Sequence, residues 1–499
     1  MTDLPIIPHW IDGVAVTGAS GRTGPVFDPA LGVPTKAVAL AGPADLRAAI
    51  ASATAGFRGW SATPLGRRQA VLFRFRDLLA ARSADLAAII TGEHGKVLSD
   101  AAGEVARGLE IVELATGFPH LLKGAHSENV STGVDVYSIK QPLGVVAVIS
   151  PFNFPAMVPM WFYPLAIAAG NAVILKPSEK DPSASIWIAK LWKEAGLPDG
   201  VFTVLQGDRE AVDGLLEAPE IAAISFVGST PVARHIYETA TRNGKRVQAL
   251  GGAKNHMLVL PDADLDLVAD SAVNAGYGSA GERCMAISVV VVVEPVGDAL
   301  VDRIRERIGR LRIGDGRRDV DMGPLVTGEH RDRVASYLDV AVADGARLVI
   351  DGRGVAADGD PAGFWLGPSL VDAVPPGSRV YVDEIFGPVL AIVRVDSYEE
   401  GVALINANPY GNGTAIFTND GGAARRFQTE VTAGMVGINV PIPVPVGYYS
   451  FGGWKDSIFG ASKAYGIQGL DFFTREKTVT ARWLDPSHGG INLGFPRNG

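Results

Sequence analysis

Apolar residues in this chain follow two alternating patterns. Short, nearly continuous apolar runs at 144–149, 172–175, 201–205, 222–227, 256–260, 289–293, 346–350 and 389–394 have the length of strands buried on both faces. Between them, the stretches 43–60, 64–92, 100–118, 183–195, 209–217, 265–279, 298–310 and 328–344 read as helices, with another beginning near Pro231. In 64–92 the apolar repeat runs through Val71, Leu72, Leu78, Leu79 and Leu86, with Pro64 near its start. Strands alternating with helices predict an α/β protein with parallel, doubly wound sheets. The alternation occurs in two series, one on either side of residue 250.

Two stretches break the rhythm. From Val134 to Ile139 apolar and polar residues alternate, which predicts a strand of an antiparallel hairpin. The stretch 471–484 ends in the same alternation, so it can pair with that hairpin or with another subunit. Leu143 to Leu175 carries no charge and is long enough to span a bilayer. It also contains Pro151, Pro155, Pro159 and Pro164, which break any continuous helix. It is better read as a buried strand, a loop at Ser150–Phe154, a helix at 158–169 and a second buried strand. Residues 351–365, rich in glycine and aspartate, predict an exposed loop.

Composition narrows the class. With 47% hydrophobic and 20% charged residues over 499 positions, the chain can bury a large core in several domains. Net charge is −9 and the basic residues are dispersed, so nucleic acid is not an expected partner. The N-terminus has neither a basic nor an apolar leader region, and there is one cysteine, so a cytoplasmic location is expected.

That cysteine, Cys284, lies in Gly281-Glu282-Arg283-Cys284-Met285-Ala286, just before the valine strand Val289–Val293. A lone cysteine is a small buried hydrophobe or a reactive nucleophile. A polar loop with an adjacent guanidinium favours the nucleophile, because Arg283 would favour the thiolate. Three strands end in polar residues at what would be the carboxyl edge of one sheet, where open α/β folds bind ligands. The first ends in Ser150-Pro151-Phe152-Asn153-Phe154-Pro155, where Asn153 either forms a turn or donates its amide to an oxyanion. The second ends in Lys176-Pro177-Ser178-Glu179-Lys180, either a solvated charged loop or a nucleotide site. In a nucleotide site, the acid would accept from ribose hydroxyls and repel a 2′-phosphate. The third ends in Ser225-Phe226-Val227-Gly228-Ser229-Thr230, where Gly228 allows close approach of phosphate and Ser229 or Thr230 can cap a helix. The eight histidines are scattered and the thiol is single, so no metal is expected. No G-x-S-x-G elbow supports a serine hydrolase.

Taken together, Pro151–Pro155, Lys176–Glu179, Phe226–Ser229, Cys284 and Glu384-Ile385-Phe386-Gly387-Pro388 resemble the aldehyde dehydrogenase superfamily, in order and spacing, over nearly the full chain. The stretches Arg107–Glu110, Gly251–His256, Gly281–Ala286, Asn439–Pro445 and Lys477–Trp483 are similar to its CoA-acylating branch, the methylmalonate-semialdehyde (malonate-semialdehyde) dehydrogenases. The resemblance implies Cys284 as nucleophile and Asn153 as oxyanion donor. It implies cofactor contacts from Ser150, Phe152, Lys176, Glu179, Lys180, Gly228, Ser229, Gly251, Glu384 and Phe386 to NAD, with Glu384 on the nicotinamide ribose. Arg107 and Arg283 become candidates for the substrate carboxylate, and coenzyme A becomes the co-substrate. For Arg107 the alternative is an ion pair with Glu104 or Glu110, one helical turn away.

There are two departures from the family pattern. Hydrolytic members carry a glutamate just before Leu-Gly-Gly, where this chain reads Gln248-Ala249-Leu250-Gly251-Gly252. Without that carboxylate water is poorly activated, which favours transfer to a thiol over hydrolysis. Ala233-Arg234 stands where the family more often has glycine. The resemblance further implies a cofactor domain (1–123 and 143–250), a catalytic domain (251–455) and an oligomerisation arm (124–142 and 471–495) of a homotetramer, a dimer of dimers. The rival reading is a hydrolytic NAD-dependent semialdehyde dehydrogenase that releases a free acid.

Overall fold

The computed structural model describes residues 4–483. Two parallel sheets carry the fold. The first has eight strands, and its parallel centre runs Arg246–Leu250, Ile221–Val227, Val145–Ile149, Ala172–Lys176, Phe202–Val204. Short antiparallel strands close its edges, Ile458–Phe459 on one side and His9–Ile11 with Val14–Val16 on the other. The second has seven strands in the order Arg347–Ile350, Ser369–Asp372, Val389–Val395, Ile287–Val293, Asn255–Val259, Gly413–Phe417, Met435–Ile438, all parallel except the first pair. Val145–Ile149 and Ala172–Lys176 are buried at every position, as their unbroken apolar runs require.

A third, antiparallel sheet answers the question of what the tail pairs with. Thr474–Arg482 lies along Val134–Pro142 over its whole length, and His126–Ser131 completes the sheet. Asn171 ties this arm to the first sheet. Its Oδ1 accepts from the N–H of Leu143 and Gly144, and its Nδ2 donates to the carbonyls of Ala166 and Phe473. The expected arm segment 484–495 lies outside the described residues.

The structure corrects several element boundaries. The stretch 64–92 forms two helices, Leu65–Ala81 and Ser83–His94, because Arg82 leaves helical geometry (φ −120°, ψ 21°). There its guanidinium forms an ion pair with Glu194. The expected helix 158–169 is two short helices, Met157–Met160 and Tyr163–Ala169. The break puts Pro164 in the first turn of the second helix, where its missing N–H costs nothing. The strand Arg246–Leu250, which carries the Ala249-Leu250 departure, was absent from the pattern reading, as were Gly413–Phe417 and the N-terminal strands. Among the described residues no helix is long and apolar enough to cross a membrane, in keeping with the proline argument for 143–175.

Candidate active site

Cys284 sits between the short helical turn Gly278–Gly281 and the strand Ile287–Val293. The approach to it is strained. Ser279 and Ala280 both hold left-handed backbone (φ 53° and 52°), which side-chain-bearing residues rarely adopt outside functional sites. Gly281 follows at φ 73°, and a Cβ there would fall 2.2 Å from the Gly387 carbonyl oxygen. The Cys284 loop is thus pressed onto the loop that carries Glu384 and Phe386.

A second contact ties it to the loop after Val145–Ile149. Asn153 Nδ2 donates to the Glu282 carbonyl at 3.0 Å. This uses one of two amide hydrogens and leaves the other for an oxyanion. Behind Asn153 lies a fully buried ion pair, Lys96–Glu104, at 2.7 Å. Lys96 Nζ also donates to the Asn153 carbonyl at 2.6 Å and sits over the Phe154 ring. Glu104 Oε1 accepts from the N–H of Ala156 and Met157. Both ends of the loop are therefore held by one pair of charges.

The cavity in front of Cys284 measures about 420 Å³. Of the expected site residues, Phe152, Asn153, Lys180, Gly228, Ser229, Gly251, Cys284, Glu384 and Phe386 line it together. Phe386 holds φ 59° and meets Phe152 edge to face at 5.8 Å, while Lys180 Nζ lies 4.6 Å from the Phe152 ring centre. The helix Thr230–Arg242 starts at this rim, so its free N–H groups suit a phosphate. A Cβ on Gly251 would lie 2.7 Å from the Asp456 carbonyl, so only glycine fits there. A glycine-floored cavity at the carboxyl edge of a parallel sheet, beside a helix N-terminus and the cations Lys180 and Arg333, fits a dinucleotide.

Other expected residues lie farther out. Ser150 is buried and Lys176 pairs with Glu179 at 3.2 Å, all at the same sheet edge but outside the cavity lining. Arg107 meets both carboxylate oxygens of Glu110 at 2.9 and 2.7 Å and donates to the Pro445 carbonyl, so the helical ion pair is formed. The Tyr465 hydroxyl donates to the same Pro445 carbonyl. Arg283 turns onto Asp100 and lines a separate cavity of about 440 Å³.

His330 and Arg333 line the main cavity and escaped the sequence reading. They lie on the helix Gly328–Ala343, one turn apart, a spacing that could have flagged them. Arg333 donates to the Ile385 carbonyl at 2.8 Å, and His330 Nε2 lies 2.7 Å from the Phe386 carbonyl. Behind them Glu282 is buried between His330 (3.3 Å) and His94 (3.7 Å). Burial pushes the Glu282 carboxyl up to about 8 and lowers His330 to about 4.

The electrostatics differ from the expectation of an Arg283-favoured thiolate. Desolvation, then the Glu384 charge, pushes the Cys284 thiol up to about 12. The N–H groups of Cys284 and Met285 oppose this, and Arg283, already committed to Asp100, opposes it least. Glu384 is itself lifted to about 7 by burial, against the Ala253 N–H, Lys254 and Arg333. Lys254 is buried beneath it, lowered to about 7, and donates to the carbonyls of Val380 and Asp383.

Several known proteins share this architecture. The model of the aldehyde dehydrogenase family matches residues 16–479. The chain is 54% identical to the malonate-semialdehyde dehydrogenase of Pseudomonas aeruginosa, over 98% of this chain and 99% of that protein. It is 44% identical to malonate-semialdehyde dehydrogenase 1 of Geobacillus thermodenitrificans, over 97% of this chain and 100% of that one. Among solved structures, a candidate methylmalonate-semialdehyde dehydrogenase of Sinorhizobium meliloti complexed with NAD superposes with a TM-score of 0.96 at 50% identity, covering 97% of this chain and 99% of the other. The methylmalonate-semialdehyde dehydrogenase DddC of Oceanimonas doudoroffii gives 0.95 at 49% identity, with the same coverage.

A thiol raised by burial and by a neighbouring carboxylate stays unionised at neutral pH, and its thiolate fraction grows as pH rises towards the raised value. Alkylation of Cys284 by iodoacetamide without cofactor should therefore keep accelerating up to about pH 10, past the ordinary cysteine range. Glu384→Gln should move the profile to lower pH. A plateau at the ordinary cysteine value in the native protein would contradict this electrostatic account.

Proposed function

The chain belongs to the aldehyde dehydrogenase family, and we propose that it oxidises malonate semialdehyde or methylmalonate semialdehyde with NAD and passes the acyl group to coenzyme A. One observation carries the choice of acceptor. At the end of the strand Arg246–Leu250, which leads into the Cys284 cavity at Gly251, stand Ala249 and Leu250, both buried, and the cavity lining has no carboxylate from that strand to activate water.

In this reading the Cys284 thiol loses its proton to solvent, and the thiolate so formed attacks the aldehyde carbon. The free Asn153 amide hydrogen and the Cys284 backbone N–H hold the oxyanion. Bound NAD supplies a hydride acceptor. Glu384 takes hydrogen bonds from the ribose, which offsets its charge and relieves the thiol of part of its raised pKa. The resulting Cys284 thioester bears a carboxylate β to its carbonyl. Loss of CO2 leaves an enolate that the same two donors support, and protonation gives an acetyl or propionyl thioester. A thiol then displaces Cys284, giving acetyl-CoA or propionyl-CoA, because thiols attack thioesters far better than unactivated water does. Arg107 is the candidate for the substrate carboxylate. Its fork is now occupied by Glu110 and the Pro445 carbonyl, so a substrate would compete with Glu110 for it. The antiparallel arm is assigned to self-association as a homotetramer, which sedimentation equilibrium would register.

The test is NADH formation from malonate semialdehyde with and without CoA. Sustained turnover only with CoA, yielding acetyl-CoA, is expected, whereas equal turnover without CoA and a free-acid product would favour the hydrolytic rival. In the same assay Arg107→Leu should raise KM for malonate semialdehyde by about tenfold or more and leave propanal nearly unaffected. Equal losses on both substrates would remove Arg107 from carboxylate recognition.

A further inference from the structure

Acyl exchange between two thiols moves a proton as well as a carbonyl carbon. The incoming thiol must lose a proton to attack. The departing Cys284 sulfur must gain one, because a thiol pushed up to about 12 makes a poor leaving group as its anion. With Ala249 and Leu250 in place of the family's glutamate, some other group has to carry that proton.

The cavity offers one candidate. Glu384 is the only carboxylate among the residues lining it, and Glu384 and Cys284 also share a small void behind the nucleophile loop. Glu384 is held by one edge: Oε1 accepts the Ala253 N–H at 2.9 Å. Oε2 has no hydrogen-bond donor among the described residues, and it occupies space that exists because residue 252 is glycine, where a Cβ would lie 2.4 Å from it. The charged and titratable groups facing Glu384 are Lys254 from below, Arg333 from the helix Gly328–Ala343, Tyr410 and the thiol itself. Both cations are committed to backbone carbonyls, Lys254 to Val380 and Asp383 and Arg333 to Ile385. Of the other titratable groups lining the cavity, Lys180 holds its ammonium over the Phe152 ring, and His330 has both ring nitrogens engaged, by the Phe386 carbonyl and by Arg333.

We propose that Glu384, once free of the ribose, is the proton shuttle of acyl transfer, taking the proton of the incoming thiol and returning it to Cys284 Sγ. The step balances without a redox partner. The thiol S–H bond breaks towards the Glu384 carboxylate, and a C–S bond forms to the acyl carbon. The bond from that carbon to Cys284 Sγ then breaks, its electron pair stays on Sγ, and Glu384 protonates it. The carboxylate ends as it began. A carboxyl lifted by burial to about 7 is matched to this work near neutral pH. The proposal rests on the acyl-transfer reading and adds to it a second task for a residue otherwise expected only to hold the cofactor.

The deacylation half can be run without NAD. Cys284 is acetylated with p-nitrophenyl acetate, the p-nitrophenolate released counts the sites, and CoA then discharges the acetyl-enzyme across a pH series. The native rate should rise through about pH 7 and level off as Glu384 becomes the free base. Glu384→Gln should be about 10²-fold slower at neutral pH and should rise only with ionisation of the thiol itself. A variant within about twofold of native with an unchanged profile overturns the proposal. Should the variant fail to fold or acylate, thiols of different acidity decide with the native enzyme. A neutral-pH rate that follows total thiol supports the shuttle, and one proportional to the thiolate fraction alone overturns it. A native acetyl-enzyme discharged by water and not by CoA would instead remove the acyl-transfer reading on which the proposal stands.

Discussion

The hydrogen bond from the Asn153 amide to the Glu282 carbonyl joins the two halves of the site. One partner belongs to a loop of the first parallel sheet, the other to the nucleophile loop of the second. A neutral bond of this kind contributes only about 1 kcal/mol on its own. Its weight comes from what stands behind it. Lys96 and Glu104, both without solvent, grip the Asn153 carbonyl and the start of the next helix. Breaking one member of such a pair leaves a buried charge uncompensated, at a cost of about 3–5 kcal/mol. The Asn153 amide is therefore placed by the folded core, and the thiol two residues beyond Glu282 is placed with it.

From the other side the nucleophile loop is bounded by Gly387, which Gly281 touches, and by Glu384, which Gly252 admits. These contacts crowd a half-buried thiol and set a carboxylate near it, and both effects push its pKa up. Such restraint suits an enzyme whose only cysteine would otherwise be exposed to adventitious alkylation and oxidation.

The sheets were legible because parallel strands buried on both faces leave unbroken apolar runs, as at Val145–Ile149 and Ile287–Val293. Arg246–Leu250 was not, since it opens on an exposed arginine and carries Gln248 in its middle, where the amide Nε2 donates to Ser225 Oγ. The helix break at Arg82, whose guanidinium pairs with Glu194 from a distant helix, leaves little trace in periodicity. The candidate site residues could be named from strand ends and from a family resemblance, and the fold gathers most of them around one cavity. What could not be read was direction. Arg283 is adjacent to Cys284 in the chain, yet its guanidinium faces Asp100, because that carboxylate lies on a helix distant in sequence. His330 and Arg333 share one helix face, one turn apart, but that spacing does not say which cavity the face meets, and packing brings them to this one.

The central claim is that this site makes an acyl-enzyme that a thiol clears far faster than water does. Intact-protein mass spectrometry after mixing with malonate semialdehyde and NAD, with no thiol present, tests it most directly. The account predicts an acetyl group that persists on Cys284, with CO2 released and NADH formation halting once the sites are filled. Unmodified protein accompanied by continuing NADH formation would contradict it.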